Sequence, residues 1–287
     1  MTAGVFDLFL PATRDTAVVF ASPHSGRDYP AALRSASPLD DCAIRSSEDA
    51  FVDLLFGDAP RHGAPLLAAR IPRAFVDLNR APDELDPALI DGVARGGLNP
   101  RVSSGLGVVP RVVANGRPIY RARLSRAEAE ARIADIWRPY HRALQALLDE
   151  SRLAFGDSIL IDCHSMPHEA IAAHARPGRP APDVVLGDRF GATAAPGITD
   201  AVEAAFVDAG FTVSRNNPFA GAYVTQAYGR PSSGQHVVQV EIDRALYLDE
   251  ARVRPGPGFE PLRARLASVT SRIAAIGRRR PMPLVAE

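Results

Sequence analysis

The stretch Ser158-Ile159-Leu160-Ile161-Asp162-Cys163-His164-Ser165 decides how the rest of the chain is read. Its apolar run falls short of the roughly 10–12 residues of a buried helix and is bounded by polar residues, so it reads as a buried strand. Chemistry-bearing residues follow where the apolar run stops. Thr16 to Ser22 (TAVVFAS) is built the same way and runs into Pro23-His24-Ser25-Gly26. His236 to Ile242 (HVVQVEI) repeats the design, delivering Glu241 and then Asp243-Arg244. In open α/β sheets, ligands bind outside the carboxyl ends of the strands. A His or a Glu at that edge of each of these strands is a pattern that packing alone does not require.

Outward from these strands, strand-like and helix-like segments alternate, which is the pattern of an α/β sheet. Pro65 to Ile71, Ala74 to Leu78, Asp183 to Leu186 and Phe211 to Ser214 read as further strands. Glu48 to Gly57 reads as a helix with Ser47 as N-cap and acids in its first turn, where they complement the helix dipole. Ser125 to Phe155 is the longest helical segment; Ser125 and Glu128 form a capping box, and Pro139 is expected to kink or divide it. Thr199 to Ala209, stopped by Gly210, and Phe259 to Ile276 are the remaining helices. Ala81 to Val113 is rich in Pro, Gly and Arg. It is too long for a simple connection and is expected to be a functional excursion. No repeat or linker divides the chain, and residues 1–287 are expected to form one domain.

The 287 residues carry 33 Lys+Arg against 33 Asp+Glu and are 46% hydrophobic, the balance of an ordinary globular protein. The basic surplus of a nucleic-acid binder is missing. All the Lys+Arg residues are Arg; without lysine there is no Schiff-base or P-loop chemistry. Cys42 and Cys163 are too few for a disulfide scaffold or a cysteine zinc site. No apolar run approaches the roughly 18 residues of a membrane span, and Met1 to Arg14 lacks the basic start of a signal peptide. A cytoplasmic protein is expected.

Imidazole and carboxylate are the ligands of a catalytic zinc, which usually has three protein ligands and one open position. His24 and His164 are the leading candidates. A lone histidine at a strand end is more often a surface or hydrogen-bonded residue, but two in equivalent positions, each followed by Ser, shift that balance. The third ligand should be an acid, with Asp49 and Glu48 both eligible, although acids at a helix start usually only complement its dipole. Strand alternation puts Asp162 and His164 on one face and Cys163 on the other. Cys163 and His164 therefore cannot pair as nucleophile and base; Cys163 reads as a small buried apolar residue, and Asp162 as a partner that orients a ligand.

Glu241 shares a face with Gln239 and Asp243 at the edge of an apolar strand. Partial desolvation there would raise its pKa toward general-base values; the competing reading is an ion pair with Arg244 or another arginine. Arg80, Arg111, Arg117 and Asn216-Asn217 sit in apolar or Gly-rich settings. An Arg fork grips carboxylates and would suit an anionic substrate, though any one arginine is more often solvated. No Gly-x-Ser-x-Gly elbow supports Ser25 or Ser165 as a nucleophile. His62 and His141 read as surface residues, His168 and His174 have no assigned role, and His236 falls opposite the face of Glu241.

Taken in order, the motifs resemble the N-formylglutamate amidohydrolase family, relatives of the zinc carboxypeptidase-like hydrolases. The resemblance is carried by Pro23-His24-Ser25-Gly26, by Glu48-Asp49-Ala50-Phe51-Val52-Asp53 and by Val76-Asp77-Leu78-Asn79-Arg80. It continues through Asp162-Cys163-His164-Ser165, Leu186-Gly187-Asp188-Arg189-Phe190-Gly191 and Asn217-Pro218-Phe219-Ala220-Gly221, and ends with Gln239-Val240-Glu241-Ile242-Asp243-Arg244 and Leu246-Tyr247.

The resemblance implies an α/β fold, a mixed central β-sheet flanked by helices of the phosphorylase/hydrolase-like, zinc-peptidase-like kind. It also implies one Zn2+ per chain, or another divalent ion, held by His24, His164 and an acid of the Glu48-Asp49 pair, of which Asp49 matches better. Glu241 would be the general base. Arg80 and Asn79, with Arg215 and Asn217, would hold substrate carboxylates, and Asp162 and Ser25 would support the ligands. The implied reaction cleaves N-formyl-L-glutamate to formate and glutamate, in the setting of histidine degradation. The partner would be a small anionic N-acyl amino acid, with neither nucleic acid nor membrane. The alternatives are another N-acyl amino acid or small amide as substrate, or a non-catalytic metal- or ligand-binding protein on the same scaffold.

Overall fold

The apolar runs pair edge to edge in a computed structural model that describes residues 4–94, 99–172 and 181–278. They form the strands β1 (Phe6–Phe9), β2 (Val18–Ser22), β3 (Leu66–Ala69), β4 (Ser158–Met166), β5 (Val184–Gly187), β6 (Val213–Arg215) and β7 (Gln235–Asp243). Their order across the mixed sheet is β1-β3-β2-β4-β7-β5-β6. The inner strands β3, β2, β4 and β7 are parallel, so their carboxyl ends share one edge. β1 runs antiparallel to β3, and β5 antiparallel to β7, with β6 parallel to β5. β1 escaped the sequence reading because it is a largely exposed edge strand without apolar alternation.

The helices are α1 (Ala31–Ala36), α2 (Val52–Leu55), α3 (Pro100–Ser103), α4 (Arg126–Arg132), α5 (Arg138–Phe155), α6 (Glu169–Ala172), α7 (Pro196–Val207), α8 (Tyr223–Tyr228) and α9 (Phe259–Ile276). They cover both sheet faces. Phe20, Ile159, Ile161, Val238, Val240 and Cys163 pack one face into a core with residues of α2, α7 and α9. Val19, Leu160 and Val237 pack the other with Tyr140, Leu144 and Leu148 of α5. The split follows from strand alternation. No helix among the described residues is long and apolar enough to cross a membrane.

Two expected elements change on folding, and a third divides as expected. Ala74 to Leu78 is not a strand: Pro72 is followed by a turn in which the Phe75 and Val76 N–H groups donate to its carbonyl. The expected helix from Glu48 begins only at Val52 because Phe51 takes a left-handed conformation, φ 64°. Glu48 and Asp49 therefore precede the helix, and the Asp49 N–H donates to the His24 carbonyl, 3.1 Å. The long segment after Ser125 divides where Ile133–Trp137 widens to a π-helical turn before α5. Pro139, near the start of α5, brings no backbone donor to that turn.

Candidate functional site

His24 lies just past the end of β2, and His164 and Glu241 are register partners across the β4–β7 ladder. Asp49 reaches the same place from the segment before α2. His24 Nδ1 lies 3.3 Å and His164 Nδ1 2.9 Å from one oxygen, Asp49 Oδ2. Ligand atoms of these three buried residues fall within 4.8 Å of one another, a spacing that could hold one metal ion. Glu48 is turned elsewhere, accepting from Arg45 at 2.9 Å and from the Tyr29 hydroxyl at 2.6 Å.

The far nitrogens of both histidines face carboxylates. His24 Nε2 is 2.7 Å from Asp77 Oδ1. His164 Nε2 is 3.0 Å from Asp162 Oδ2, at ion-pair distance but not in hydrogen-bond alignment. With a cation held at the two Nδ1 atoms, each ring would keep its proton on Nε2, facing these carboxylates; without one, Nδ1 protons hydrogen-bond to Asp49 Oδ2. Metal-binding histidines commonly have such a carboxylate behind them, which fixes the ring and raises its basicity. The donor set therefore fits a divalent cation.

The surrounding charges are tightly arranged. Arg244 donates to Asp49 Oδ1 at 2.8 Å, and Arg73 to Asp77 Oδ2 at 2.8 Å. Burial alone would raise the Asp49 pKa, but hydrogen bonds from His164 and His24 outweigh it and hold the carboxyl well below its usual range. Burial would likewise raise that of Asp77, and the charges of Arg73 and His24 again prevail. Glu241 behaves differently. Burial pushes it up to about 7, with the His164 charge pulling down and that of Asp49 pushing up. Its Oε1 accepts from Gln239 Nε2 at 2.9 Å, and Arg244 pairs with Asp49 rather than with Glu241. A carboxyl titrating near neutrality suits a general base.

These groups open into a cavity of about 660 Å³, lined in part by His24, Asp49, His164, Glu241, Arg80 and Asn79. Asn79 is anchored through its amide oxygen: Oδ1 accepts from the Val224 N–H at 2.7 Å, which leaves Nδ2, a donor, 3.2 Å from His164 Nε2. Its bond to the Val224 N–H ties this segment to the start of α8 beside His164.

Two expected substrate residues are not brought in. Arg215 is held on the outer strand β6 by Asp200 and Glu203, whose carboxylates outcompete any role in the cavity, which it does not line. Asn217 is exposed, and the cavity is lined instead by the following Pro218 and Phe219. Ser25 is buried and donates to the Ser22 carbonyl at 3.3 Å, serving the turn after β2. His141 is buried, not a surface residue: Nε2 meets the Leu78 carbonyl at 2.9 Å and Nδ1 the Tyr228 hydroxyl at 2.8 Å. His236 lies outside the cavity, its Nδ1 3.3 Å from the Ala195 N–H; His174 lies outside the described residues.

Asp77, Arg73 and Arg244 were not singled out as site residues by the sequence. Asp77 stood inside a recognised motif, so its position carried a signal. Arg73 stood among many arginines with nothing to distinguish it.

The sequence model of the N-formylglutamate amidohydrolase family matches residues 16–248. The chain is 31% identical over 237 residues to the N-formylglutamate deformylase of Pseudomonas aeruginosa, covering 81% of this chain and 82% of the relative. A crystal structure of N-formylglutamate amidohydrolase from Ralstonia eutropha JMP134 superposes with a TM-score of 0.88 at 36% identity, covering 96% of this chain and 99% of the other. The Agrobacterium tumefaciens gene product Atu2144 shares the fold at a TM-score of 0.60 and 18% identity, with 96% of each chain covered.

Proposed function

Because the chain belongs to the N-formylglutamate amidohydrolase family, we propose that it is a metal-dependent amidohydrolase that cleaves N-formyl-L-glutamate to formate and glutamate. The observation that carries this reading is the convergence of His24, Asp49 and His164 beside Glu241 in one arginine-lined cavity. Two imidazoles and a carboxylate suit zinc among the divalent ions. A divalent ion held by these three residues would polarise the formyl carbonyl and acidify the attacking water.

The chain's own residues do the rest. Glu241 accepts the proton of the water and returns it to the departing amine nitrogen, so that the C–N bond breaks to a neutral amine. Its pKa of about 7 lets one carboxyl act first as base and then as acid. Arg80 binds a substrate carboxylate, and Asn79 keeps His164 and α8 in register around the substrate. Asp77 and Asp162 keep the two imidazoles turned the right way. Strands β4 and β7 supply His164 and Glu241, and segments that follow or precede neighbouring elements supply the rest, which supports reading residues 1–287 as a single domain.

The test is formate release from N-formyl-L-glutamate before chelation, after chelation and after zinc is added back, with bound metal measured in each sample. Activity that disappears on chelation and returns with zinc supports the reading. Stoichiometric metal with no formate released overturns the substrate assignment and directs the search to N-acetyl and N-succinyl amino acids. Activity indifferent to chelation, in protein shown to be metal-free, overturns the metal mechanism.

A further inference from the structure

The cavity carries arginines that its own acids do not neutralise. Asp49, Asp77 and Glu241 line it together with Arg73, Arg80, Arg101 and Arg244. Arg244 and Arg73 are taken up by Asp49 and Asp77. Among the described residues, neither Arg80 nor Arg101 has a carboxylate at ion-pair distance. Arg80 is 8% exposed, and its Nε is buried with no hydrogen-bond partner. An unpaired buried guanidinium is costly and is normally satisfied by something. The two cations are also close enough to feel each other: after burial and the opposing pull of Asp77, the Arg101 charge is the next influence lowering the Arg80 pKa. Like charges facing into one cavity call for an anion between or beside them.

Arg101 is presented deliberately. It sits on α3, a short turn whose start is capped by the Asn99 side chain, which accepts from the Arg101 and Val102 N–H groups at 3.0 and 3.3 Å. The Leu106 N–H closes back on the Arg101 carbonyl at 2.8 Å. Arg111, the neighbouring cation, is turned aside to Asp86 at 2.8 Å and also donates to the Ser103 carbonyl. Of the described residues that this excursion contributes to the cavity lining, Arg101 is the one cation. Arg80 instead comes from the segment braced against the histidines, its carbonyl accepting from Trp137 Nε1 at 3.0 Å.

We propose that Arg101 is a specificity-determining residue that grips the distal, side-chain carboxylate of the substrate while Arg80 holds the α-carboxylate, so that the site selects dicarboxylic amino acids. This rests on the amidohydrolase reading above and adds to it the residue that chooses the amino acid. Each guanidinium forms a charge-assisted pair with one carboxylate, and neither is left unpaired in the complex.

The experiment compares metal-loaded wild type, Arg101→Gln and Arg101→Lys. It measures kcat/KM on N-formyl-L-glutamate and N-formyl-L-glutamine, and calorimetric binding of glutarate, a dicarboxylate that cannot be hydrolysed. Arg101 is exposed on a four-residue turn, so the replacements leave the core untouched. Wild type is expected to favour the glutamate substrate by about 10- to 100-fold, the worth of one charged hydrogen-bonded contact. Arg101→Gln should reduce that ratio to within about 3-fold and weaken glutarate binding about 10-fold or more, with Arg101→Lys recovering part of both. An unchanged ratio and unchanged glutarate binding in Arg101→Gln overturn the proposal while leaving the amidohydrolase reading intact. If wild type releases no formate, that reading fails, and glutarate binding still decides Arg101: loss in Arg101→Gln supports its role, and no loss overturns it.

Discussion

On the sheet side of the cavity, His164 and Glu241 are held opposite each other by the β4–β7 ladder, and Asp49 and Asp77 are paired with guanidiniums. On the facing side, Arg101 rides on a four-residue helix in an excursion of turns and caps, and its charge is unmatched. The sheet wall is stiff because parallel pairing fixes the strand positions while cores on both faces lock the side chains. The excursion wall is built from local hydrogen bonds, so its residues can vary without disturbing the ladder. On the functions proposed above, the difference becomes a division of labour: reaction chemistry on the register of strands, selectivity on a loop-borne surface. Between the walls runs the segment Asp77–Arg80, with Asp77 and Asn79 facing the histidines and Arg80 facing the cavity.

The largest effect should come from the sheet wall. Glu241→Gln is expected to lower kcat by about 100-fold or more while bound metal, measured by elemental analysis, stays stoichiometric. Near-normal turnover would remove Glu241 from the chemistry and break the contrast. Next, Asp77→Asn should weaken divalent-metal affinity by about 10- to 100-fold in a chelator competition, because His24 loses the carboxylate behind it. Unchanged affinity would make Asp77 a partner of Arg73 only.

The helix packed behind the Asp77–Arg80 segment, α5, gives the third test. His141 is buried among Trp137, Tyr140, Tyr223 and Tyr228, with Arg138 and Arg142 near its outer rim. Burial lowers its pKa from the ordinary 6.5 to about 4, against the opposing hydrogen bond to the Leu78 carbonyl. Below pH 6.5 the unfolded chain takes up a proton that the folded chain refuses until about pH 4, so stability falls as pH falls through that window. The group should cost roughly 2 kcal/mol between pH 7 and pH 5. Urea unfolding of His141→Phe at the two pH values should show that much less pH dependence than wild type; equal slopes would mean that His141 is free to protonate in the fold.

The smallest effect belongs to the excursion. Asp86→Ala frees Arg111 and loosens the wall behind α3, so KM for N-formyl-L-glutamate should rise about 2- to 5-fold at constant kcat, the scale of a partly exposed ion pair. A fall in kcat instead would show that the excursion also orders the chemistry.

Much of this arrangement was legible in the sequence, and the limits have physical causes. Strands β2, β4 and β7 announce themselves because a buried parallel strand must be a continuous apolar run. Alternation along Ser158–Ser165 separates Cys163 from Asp162 and His164 correctly, since the pleat leaves no other choice: Cys163 packs in the core and Asp162 meets His164. Arg215 shows the opposite case. Its residue type fitted a carboxylate ligand, but its partners Asp200 and Glu203 lie on α7, and only folding brings them to it. His141 misled because a histidine on a long polar helix is usually solvated, whereas this one faces the Leu78 carbonyl across the core.

By itself the sequence determined the fold class, the strands whose ends carry His24, His164 and Glu241, and the place of an irregular excursion. These follow from local apolar patterning, which any chain must satisfy to bury its backbone. Tertiary structure decided that Asp49, which the family resemblance favoured over Glu48, meets the histidines, and it alone decided that Asp77 stands behind His24 and that Arg101 faces the cavity while Arg111 turns away. The left-handed turn at Phe51 breaks the helical spacing that would have ranked the two acids. Which charges pair and which remain free depends on distances between segments far apart in the chain, and no local pattern encodes those distances.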